Sequence, residues 1–288
     1  MNLALDLSFR AGPDGRTALA GRRVRHPFSV QAPLWDLPGR PLGARIFVQS
    51  MSGGIFEGER LGQRVAVQQG AELRVEVPAA TVVHEMPNGG ASEQRIELVA
   101  EAGSVLEFTP PPLILFPDSR LTQTIEVTAD AGARLLVGDG FMMHDPGRTG
   151  RGFDWCVTTL GLARPDGRLV ALDRSRASGT ALAADTPGVA GGFLAQGSLL
   201  LVRPTSPALA KEWCREIQVL LEGPDVFGGA SPLRQEAGLF VRLLARDGGA
   251  LVQAQAGLVR LMRRMLHDET PVGAAAGSCC SPPSPGPR

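Results

Sequence analysis

Residues 65–137 contain one pattern written three times: VAVQQGAELRVEV at 65–77, IELVAEAGSVLEF at 96–108 and IEVTADAGARLLV at 125–137. Each phrase joins two alternating runs through a central glycine, which is Gly70, Gly103 or Gly132. Period-two alternation is typical of strands with one buried face, and glycine suits a tight turn that needs a positive φ. The glycines are 33 and then 29 residues apart, and this near-constant period favours stacked β units. A β-meander of three similar hairpins is the alternative that the pattern leaves open.

The composition is that of an ordinary globular chain. Of the 288 residues, 43% are hydrophobic and 20% are charged, so the chain is long and apolar enough to bury a sizeable core. The 29 basic side chains are balanced by 29 acidic ones. Because binders of nucleic acid or of anionic membranes carry an excess of positive charge, we expect neither as a partner.

The cysteines and the N-terminus bear on location. The four cysteines, at 156, 214, 279 and 280, form no CxxC motif and no secreted disulfide framework. Residues 1–10 alternate like a first strand and do not resemble a signal peptide. No apolar run reaches membrane-spanning length. We therefore expect a cytoplasmic protein in which the isolated cysteines, 156 and 214, are small core residues.

Short runs outside the repeats predict further elements. Strands are predicted at residues 3–9, 22–30, 44–50, 153–162, 168–172, 198–203 and 238–245, and loops at 34–42 and 178–197. One helix is predicted at 208–221, after the start signal Ser206-Pro207, and a second from Asp247 to about His267. The predicted fold class is mainly β, with stacked, solenoid-like β-sheets and two late α-helices.

The second helix and the C-terminus complete the predicted domain. On that helix, Arg260, Arg263 and Arg264 are predicted to face away from the apolar stripe. From Thr270 onward the chain is rich in Pro, Gly, Ser and Ala. We therefore predict a single domain at 1–269 and a disordered tail at 270–288.

No catalytic or metal-binding motif is present. SGGIFEGER at 52–60 lacks the Gly-Lys-Ser/Thr ending of a phosphate-binding loop, and no Gly-x-Ser-x-Gly occurs. The histidines, at 26, 84, 144 and 267, have no zinc-site spacing. His84 and Glu85 are adjacent, and neighbouring strand residues point to opposite faces, so they should not share one metal ion. The residues alone favour a binding or scaffold role.

The order of several segments resembles the UreD (UreH) family of urease accessory proteins. These segments are SGGIFEGERL at 52–61, VPAATVVHEM at 77–86, FTPPPLILFPDSR at 108–120, GRTGRGF at 147–153 and GLFVRLLARD at 238–247, followed by an arginine-rich helix. The resemblance covers roughly residues 20–266. This chain departs from the family where it has Glu59 for the usual Asp and Phe153 for the usual acidic residue, with Asp154 one place later.

The resemblance implies a UreD-like β-solenoid and a maturation factor that is not an enzyme. Such a factor would bind urease apoprotein and UreF, and UreG through UreF, and it would form a homodimer within the accessory complex. No cofactor would be bound tightly, and nickel would pass in transit. Candidate residues for partner contact or metal transit are Glu57, Glu59, His84, Glu85, Arg148 and Asp154. The alternative for each carboxylate is a solvated turn residue.

Two other functions are left open by the residues. One is a hydrolase on a β scaffold that uses His84 or His144 with nearby carboxylates. The other is a β module that binds a small ligand. Sugar stacking is disfavoured because only 5% of the residues are aromatic and none is tyrosine.

Overall fold

The computed structural model describes residues 3–184 and 188–268, and its elements are mainly strands. The strands are β1 Leu3–Ala11, β2 Thr17–Val24, β3 Phe28–Val30, β4 Ala44–Ser50, β5 Arg60–Val67, β6 Glu72–Glu76, β7 Val82–Val83, β8 Ser92–Ala100, β9 Val105–Phe108, β10 Leu113–Leu115, β11 Arg120–Ala129, β12 Arg134–Met143, β13 Trp155–Ala163, β14 Leu169–Ala177, β15 Ala195–Val202, β16 Val226–Pro232 and β17 Gly238–Ala245. The α-helices of the described chain are α1 Gly179–Ala183, α2 Pro207–Leu221 and α3 Gly248–His267.

Each repeated phrase forms one coil of a β-solenoid. The first runs, β5, β8 and β11, lie side by side and parallel, and so do the second runs, β6, β9 and β12. Leu106 pairs with Leu73 on one side and with Leu135 on the other, so the register between coils equals the 33- and 29-residue spacing of the glycines. The stacked arrangement is confirmed, and the meander of hairpins is wrong, because the two runs of one phrase do not pair with each other.

The central glycines form the corner between the two runs of each coil. Gly70, Gly103 and Gly132 have φ values of 70°, 67° and 77°, in the left-handed region that glycine enters at little cost. The corners stack, since the amide of Gly70 donates to the carbonyl of Ala102 in the next coil at 3.4 Å. The glycine spacing therefore marks the coil period.

The inner faces of the coils build one apolar core. Along the first sheet, pairing places one buried aliphatic residue per strand in a single row: Leu7, Val65, Leu98, Val127 and Leu162. Burial of a side chain of this size contributes about 2 kcal/mol. Such rows fix the register, because a slip of one residue would turn every row outward.

A third, short face closes each coil and was not predicted. Strands β7 and β10 pair in parallel through Ile114 and Val82, and β10 then pairs with the end of β12. These strands have two and three residues, too few to show an alternating pattern, and prolines 110–112 stand before β10. The third face was missed for that reason.

Antiparallel strands and the helices follow the coils. The predicted hairpin is confirmed as β13 and β14, and β15, β17 and β16 extend the second sheet. Helices α2 and α3 cover this extension, and their apolar faces share a second core with it. Both predicted caps are confirmed: Ser206 Oγ accepts from Leu209 N at 3.3 Å, and the Asp247 carboxylate accepts from Ala250 N at 2.8 Å.

Several predictions need correction. The strand predicted at 22–30 is two strands, β2 and β3, separated by a turn with a cis His26–Pro27 bond. The predicted loop at 178–197 begins with α1, capped by Ser178, so the described chain has three α-helices and not two. Strand β16 was missed; its sequence, VFGGASP, is rich in small residues and does not alternate.

Arg263 does not face away from the body as predicted, because its Nε donates to Glu107 on β9 at 2.6 Å. Cys156 is confirmed as a buried core residue and Cys214 is half-buried, whereas Cys279 and Cys280 lie outside the described residues. The predicted tail at 270–288 and the end of the predicted domain at 269 also lie outside them. No helix in the described ranges has the length and apolar character needed to cross a membrane.

Replacement of Leu106 by Ala should lower the free energy of unfolding by about 3 kcal/mol, because it empties space between two neighbouring coils. Chemical denaturation would measure the loss. The matched control is Leu172→Ala on β14, where the side chain is 59% exposed and the cost should stay under about 0.5 kcal/mol. Equal losses for the two variants would contradict the stacked core.

Candidate functional site: the charged edge and the polar interior

The stacking of coils brings all six candidate residues to one edge of the solenoid. They lie in the loops 51–59, 84–91 and 144–154, which, together with 116–119, lead into the strands β5, β8, β13 and β11 of the first sheet. We call these four loops the charged edge. Corresponding loops become neighbours because the coils share one register.

Glu57 connects two successive loops of the charged edge. Its carboxylate accepts hydrogen bonds from Gly90 N at 2.5 Å, from Asn88 N at 3.2 Å and from Asn88 Nδ2 at 2.9 Å. The bond from Gly90, followed by those from Asn88, holds the pKa of Glu57 below its usual range. Glu59 stays within its own turn, where it accepts from Phe56 N at 2.8 Å. Both carboxylates therefore order the loops in which they stand.

Asp154 pairs with an arginine that the sequence did not single out. Arg120 Nη2 lies 2.5 Å from its carboxylate, and Arg120 Nη1 donates to the carbonyls of Met86 and Gly90, each at 3.2 Å. Phe153 is buried and its ring meets Phe141 edge-on at 5.7 Å. The aromatic residue thus points into the core, and the acidic residue beside it faces the charged edge.

The remaining charged candidates are exposed. Glu85 forms an ion pair with Arg151 at 3.3 Å, and Arg151 also contacts the carboxylate of Asp118. Arg148 lies in the same loop with a φ of 51°, and its backbone amide donates to the carbonyl of Asp145 at 3.2 Å. Solvent screens exposed pairs of this kind, so they contribute little to stability. Their side chains are accessible to a partner protein.

His84 belongs to a column of rings that runs along the charged edge. Its ring stacks on Phe56 with centroids 4.3 Å apart and meets Phe116 at 5.6 Å, and Phe116 meets His144 at 5.8 Å. His84 Nε2 lies 3.3 Å from the carbonyl oxygen of Gly53. Each coil supplies one ring, at spacings of 28, 32 and 28 residues. That near-constant spacing is a sequence signal that could have revealed the column.

Gly54 is required beneath this column. With a φ of 152°, a Cβ at this position would lie 2.4 Å from the carbonyl oxygen of Val82 and 2.7 Å from His84 Nε2. Only glycine allows the loop to approach the third face this closely. Gly54 therefore serves packing, in agreement with the rejection of a phosphate-binding loop.

A second group of functional candidates lies inside the solenoid. Gln63, Gln94, Gln123 and Asp139 supply most of the polar lining of a partly enclosed space of about 50 Å³ between the two sheets, and the rest of its lining is mainly apolar. Gln94 and Gln123 are register partners on β8 and β11. Gln94 Oε1 is buried, and no hydrogen-bond partner for it occurs among residues 3–184 and 188–268. A polar interior of this size suits water or a small cation.

Asp139 supplies the carboxylate of this interior. It accepts hydrogen bonds from Gln123 Nε2 at 2.5 Å and from Gly140 N at 2.7 Å. Burial raises the pKa of Asp139 to about 6, because the charged form loses its hydration, and the hydrogen bonds from Gly140 and Gln123 oppose the rise only in part. In the sequence Asp139 stands between Gly138 and Gly140, a setting typical of a turn, so its interior position was not predicted.

The described residues hold no group of three or more His, Cys, Asp and Glu side chains arranged around one metal position. Cys156 lies near Asp139, and burial, followed by the negative charge of Asp139, raises the pKa of its thiol, which keeps it protonated. The interior therefore offers isolated oxygen ligands and no closed metal cage within the described residues.

An apolar groove of about 640 Å³ lies elsewhere, between the hairpin β13–β14 and the segment 232–240. Leu169 and Leu172 form one wall and Leu233 and Phe240 the other, while Asp173 and Arg234 stand among them. Its shape would accept an apolar group, which is the feature of the described chain that suits the small-ligand alternative best.

Comparison with known proteins identifies the family. The model of the UreD urease accessory protein family matches residues 2–275, which is nearly the whole chain. This chain belongs to the UreD family. The family resemblance drawn from the ordered segments is therefore confirmed.

Named relatives cover the same extent of chain. Urease accessory protein UreD 1 of Methylorubrum extorquens is 36% identical over 261 residues, which are 89% of this chain and 86% of the relative. Urease accessory protein UreD 1 of Bradyrhizobium sp. strain BTAi1 is 35% identical over 82% of both chains. Urease accessory protein UreD 1 of Pseudomonas syringae pv. syringae is 35% identical over 86% of both chains. The residues of the charged edge and of the polar interior all lie within the range that the family model matches.

Asp139→Asn should remove a pH dependence of stability. Because the pKa of Asp139 is raised from 3.8 to about 6 on folding, the folded state is stabilised by its proton below pH 3.8 and loses that stabilisation as the pH rises through 6. Relative to the variant, the wild type should therefore gain about 2 kcal/mol between pH 7 and pH 4. Urea denaturation across this range measures the difference. The exposed control Asp166→Asn should follow the wild type, and a constant difference between wild type and Asp139→Asn would refute the buried carboxylate.

Proposed function

We propose that the protein is a scaffold in urease maturation that binds urease apoprotein together with UreF and, through UreF, UreG, so that nickel is inserted into the urease active site. The observation that carries this proposal is the family match over nearly the whole chain, including both sites. In this role the protein acts in the cytoplasm as a homodimer within the accessory complex. It is not an enzyme, and no cofactor stays bound to it.

The charged edge supports partner contact. Glu57 and Arg120 tie its successive loops together, so the exposed side chains stand on a rigid base. Glu85, Arg148 and Asp154 are then presented in a fixed pattern, which favours a specific encounter with a complementary protein surface. His84 holds the loops through its ring contacts and contributes by positioning them.

The polar interior supports nickel as cargo. Asp139 and the glutamines beside it offer isolated oxygen ligands, which bind a divalent cation weakly enough to release it. Carboxylate and amide oxygens would replace part of the hydration shell of the cation. Gln94 Oε1, which has no hydrogen-bond partner within the described residues, can serve as one of these oxygens. In this proposal nickel passes the charge of Asp139 on its way to urease.

The hydrolase alternative receives less support from the geometry. The His84 ring is stacked on Phe56 and meets Phe116, and His144 meets Phe116 at the exposed end of the column. Within the described part of the chain, neither imidazole has a hydrogen bond to a carboxylate that would orient a general base.

Deletion of this chain should leave urease low in nickel and inactive. The test is to co-express the urease subunits and the other accessory proteins with and without it, and to measure urease activity and nickel per subunit. The tagged chain should also co-purify with urease apoprotein, UreF and UreG. Urease of equal activity and nickel content in its absence would sink the proposal.

Asp139→Asn should lower the nickel content of the urease formed while the complex still assembles. The substitution keeps the hydrogen bonds from Gln123 and Gly140 and replaces one carboxylate oxygen by a donor, which a cation avoids. Asp166→Asn is the matched control, since it removes the same charge from an exposed turn. Unchanged nickel content with Asp139→Asn would exclude the interior route and leave the scaffold role standing.

A further inference from the structure

A basic groove runs along helix α3, apart from the charged edge and the polar interior. Its cationic half, a space of about 520 Å³, is lined by Pro38, Gly39, Arg40, Arg74, Arg260, Arg263, Arg264 and His267. The adjoining half, of about 370 Å³, shares Arg260 and Arg263 and continues between α3 and prolines 110–112. We call the two halves together the α3 groove.

The floor of the cationic half is occupied by internal ion pairs. Glu107 is buried, and its carboxylate accepts from Arg74 Nη2 at 2.8 Å, from Arg263 Nε at 2.6 Å and from His267 Nε2 at 3.3 Å. Burial alone would raise the pKa of Glu107, but these bonds and the positive charges lower it to about 2. Glu72 forms an ion pair with Arg40, whose Nη1 lies 3.4 Å from the Glu72 carboxylate. Three of the five arginines are thus engaged.

Arg260 and Arg264 are the two that remain. Both are exposed, and no acidic partner for either exists among residues 3–184 and 188–268. With five arginines against Glu72, Glu107 and the Glu76 of the adjoining half, the α3 groove carries two positive charges in excess, before His267 is counted. The two side chains stand one helical turn apart, about 6 Å along the axis.

The adjoining half is mainly apolar, and its one acidic side chain, Glu76, lies on β6. Val252, Ala256 and Val259 of α3 face Pro110, Pro112 and Leu199 across it. Val252 is 46% exposed, although it sits on a helix whose other valine and leucine side chains pack inward. A segment that fills the α3 groove would therefore place apolar residues beside the prolines and acidic residues beside the arginines.

We infer that the α3 groove binds an acidic segment of a partner protein, one that carries apolar residues next to a run of Asp or Glu. The inference rests on the proposed function, since the partner is a component of the urease assembly complex. Charge complementarity selects this occupant. The chain's own residues 269–288 do not match it, because Glu269 is their one acidic side chain. A free phosphate suits the site less well, since it would bind in the cationic half and leave the apolar half exposed.

The test is a double charge reversal, Arg260→Glu with Arg264→Glu, in the full chain co-expressed with urease subunits and the other accessory proteins. Both side chains are exposed and have no internal partner within the described ranges, so the variant should fold, and its thermal unfolding checks this. The matched control is Lys211→Glu with Arg215→Glu on α2, which has the same charge change and the same four-residue spacing on an exposed face.

The groove variant should retain about tenfold less of one partner at low salt, whereas the control should retain as much as the wild type. A photo-cross-linking residue at Val252 should capture an acidic segment of that partner, mapped by mass spectrometry. Equal retention by both variants would overturn the inference and leave the proposed function intact. Absence of any complex with the wild type would overturn both.

Three further outcomes would also overturn the inference. The first is a cross-linked segment without acidic residues. The second is a cross-link between two copies of this chain, which would identify the α3 groove as a contact between copies. The third is co-purifying RNA that is lost in the groove variant while all protein partners remain.

Discussion

The parallel register between successive coils is the constraint on which the rest of the structure depends. Each strand of the phrases pairs with its equivalent 33 or 29 residues away, and this pairing sets buried aliphatic residues such as Val65 and Leu98 side by side. A one-residue slip would expose every buried row at once. The register is therefore stabilised by the summed burial of many apolar side chains and not by any single contact. Parallel pairing at this separation also requires the chain to travel a full coil between partners, which the glycine corners make possible.

The positions of the charged edge and of the polar interior follow from that register. Loops at the same corner of neighbouring coils are brought together although about thirty residues separate them in sequence, and this produces the ring column from Phe56 to His144 and the ion pair of Arg120 with Asp154. The same rule places Gln94 beside Gln123 inside the solenoid. The contacts along the charged edge and the polar side chains inside the solenoid therefore both result from the same spacing between coils.

The sequence predicted the parts that local patterns encode. Alternation and corner glycines predicted the coils, and Ser206 and Asp247 predicted where two helices begin. It could not supply the third face, because β7 and β10 are too short to carry a period, and without that face the pairing of Arg120 with Asp154 is invisible. The family resemblance named the loops of the charged edge, but the interior role of Asp139 needed the fold, since a carboxylate between glycines looks like a turn residue.

Two buried carboxylates on adjacent strands show how the fold separates structure from function. Glu107 on β9 is surrounded by Arg74, Arg263 and His267, so its negative charge is neutralised within the chain and serves to fix α3 on the sheet. Within the described residues, Asp139 on β12 accepts hydrogen bonds from amide groups only. The nearby Arg242 forms an ion pair with Asp173. A cation approaching Glu107 would have to displace arginines, whereas one approaching Asp139 would meet an uncompensated carboxylate beside an orphan amide oxygen. For this reason we propose that the cargo passes Asp139, whereas the positive charge left over near Glu107, on Arg260 and Arg264, is exposed on the surface where we infer that a partner binds.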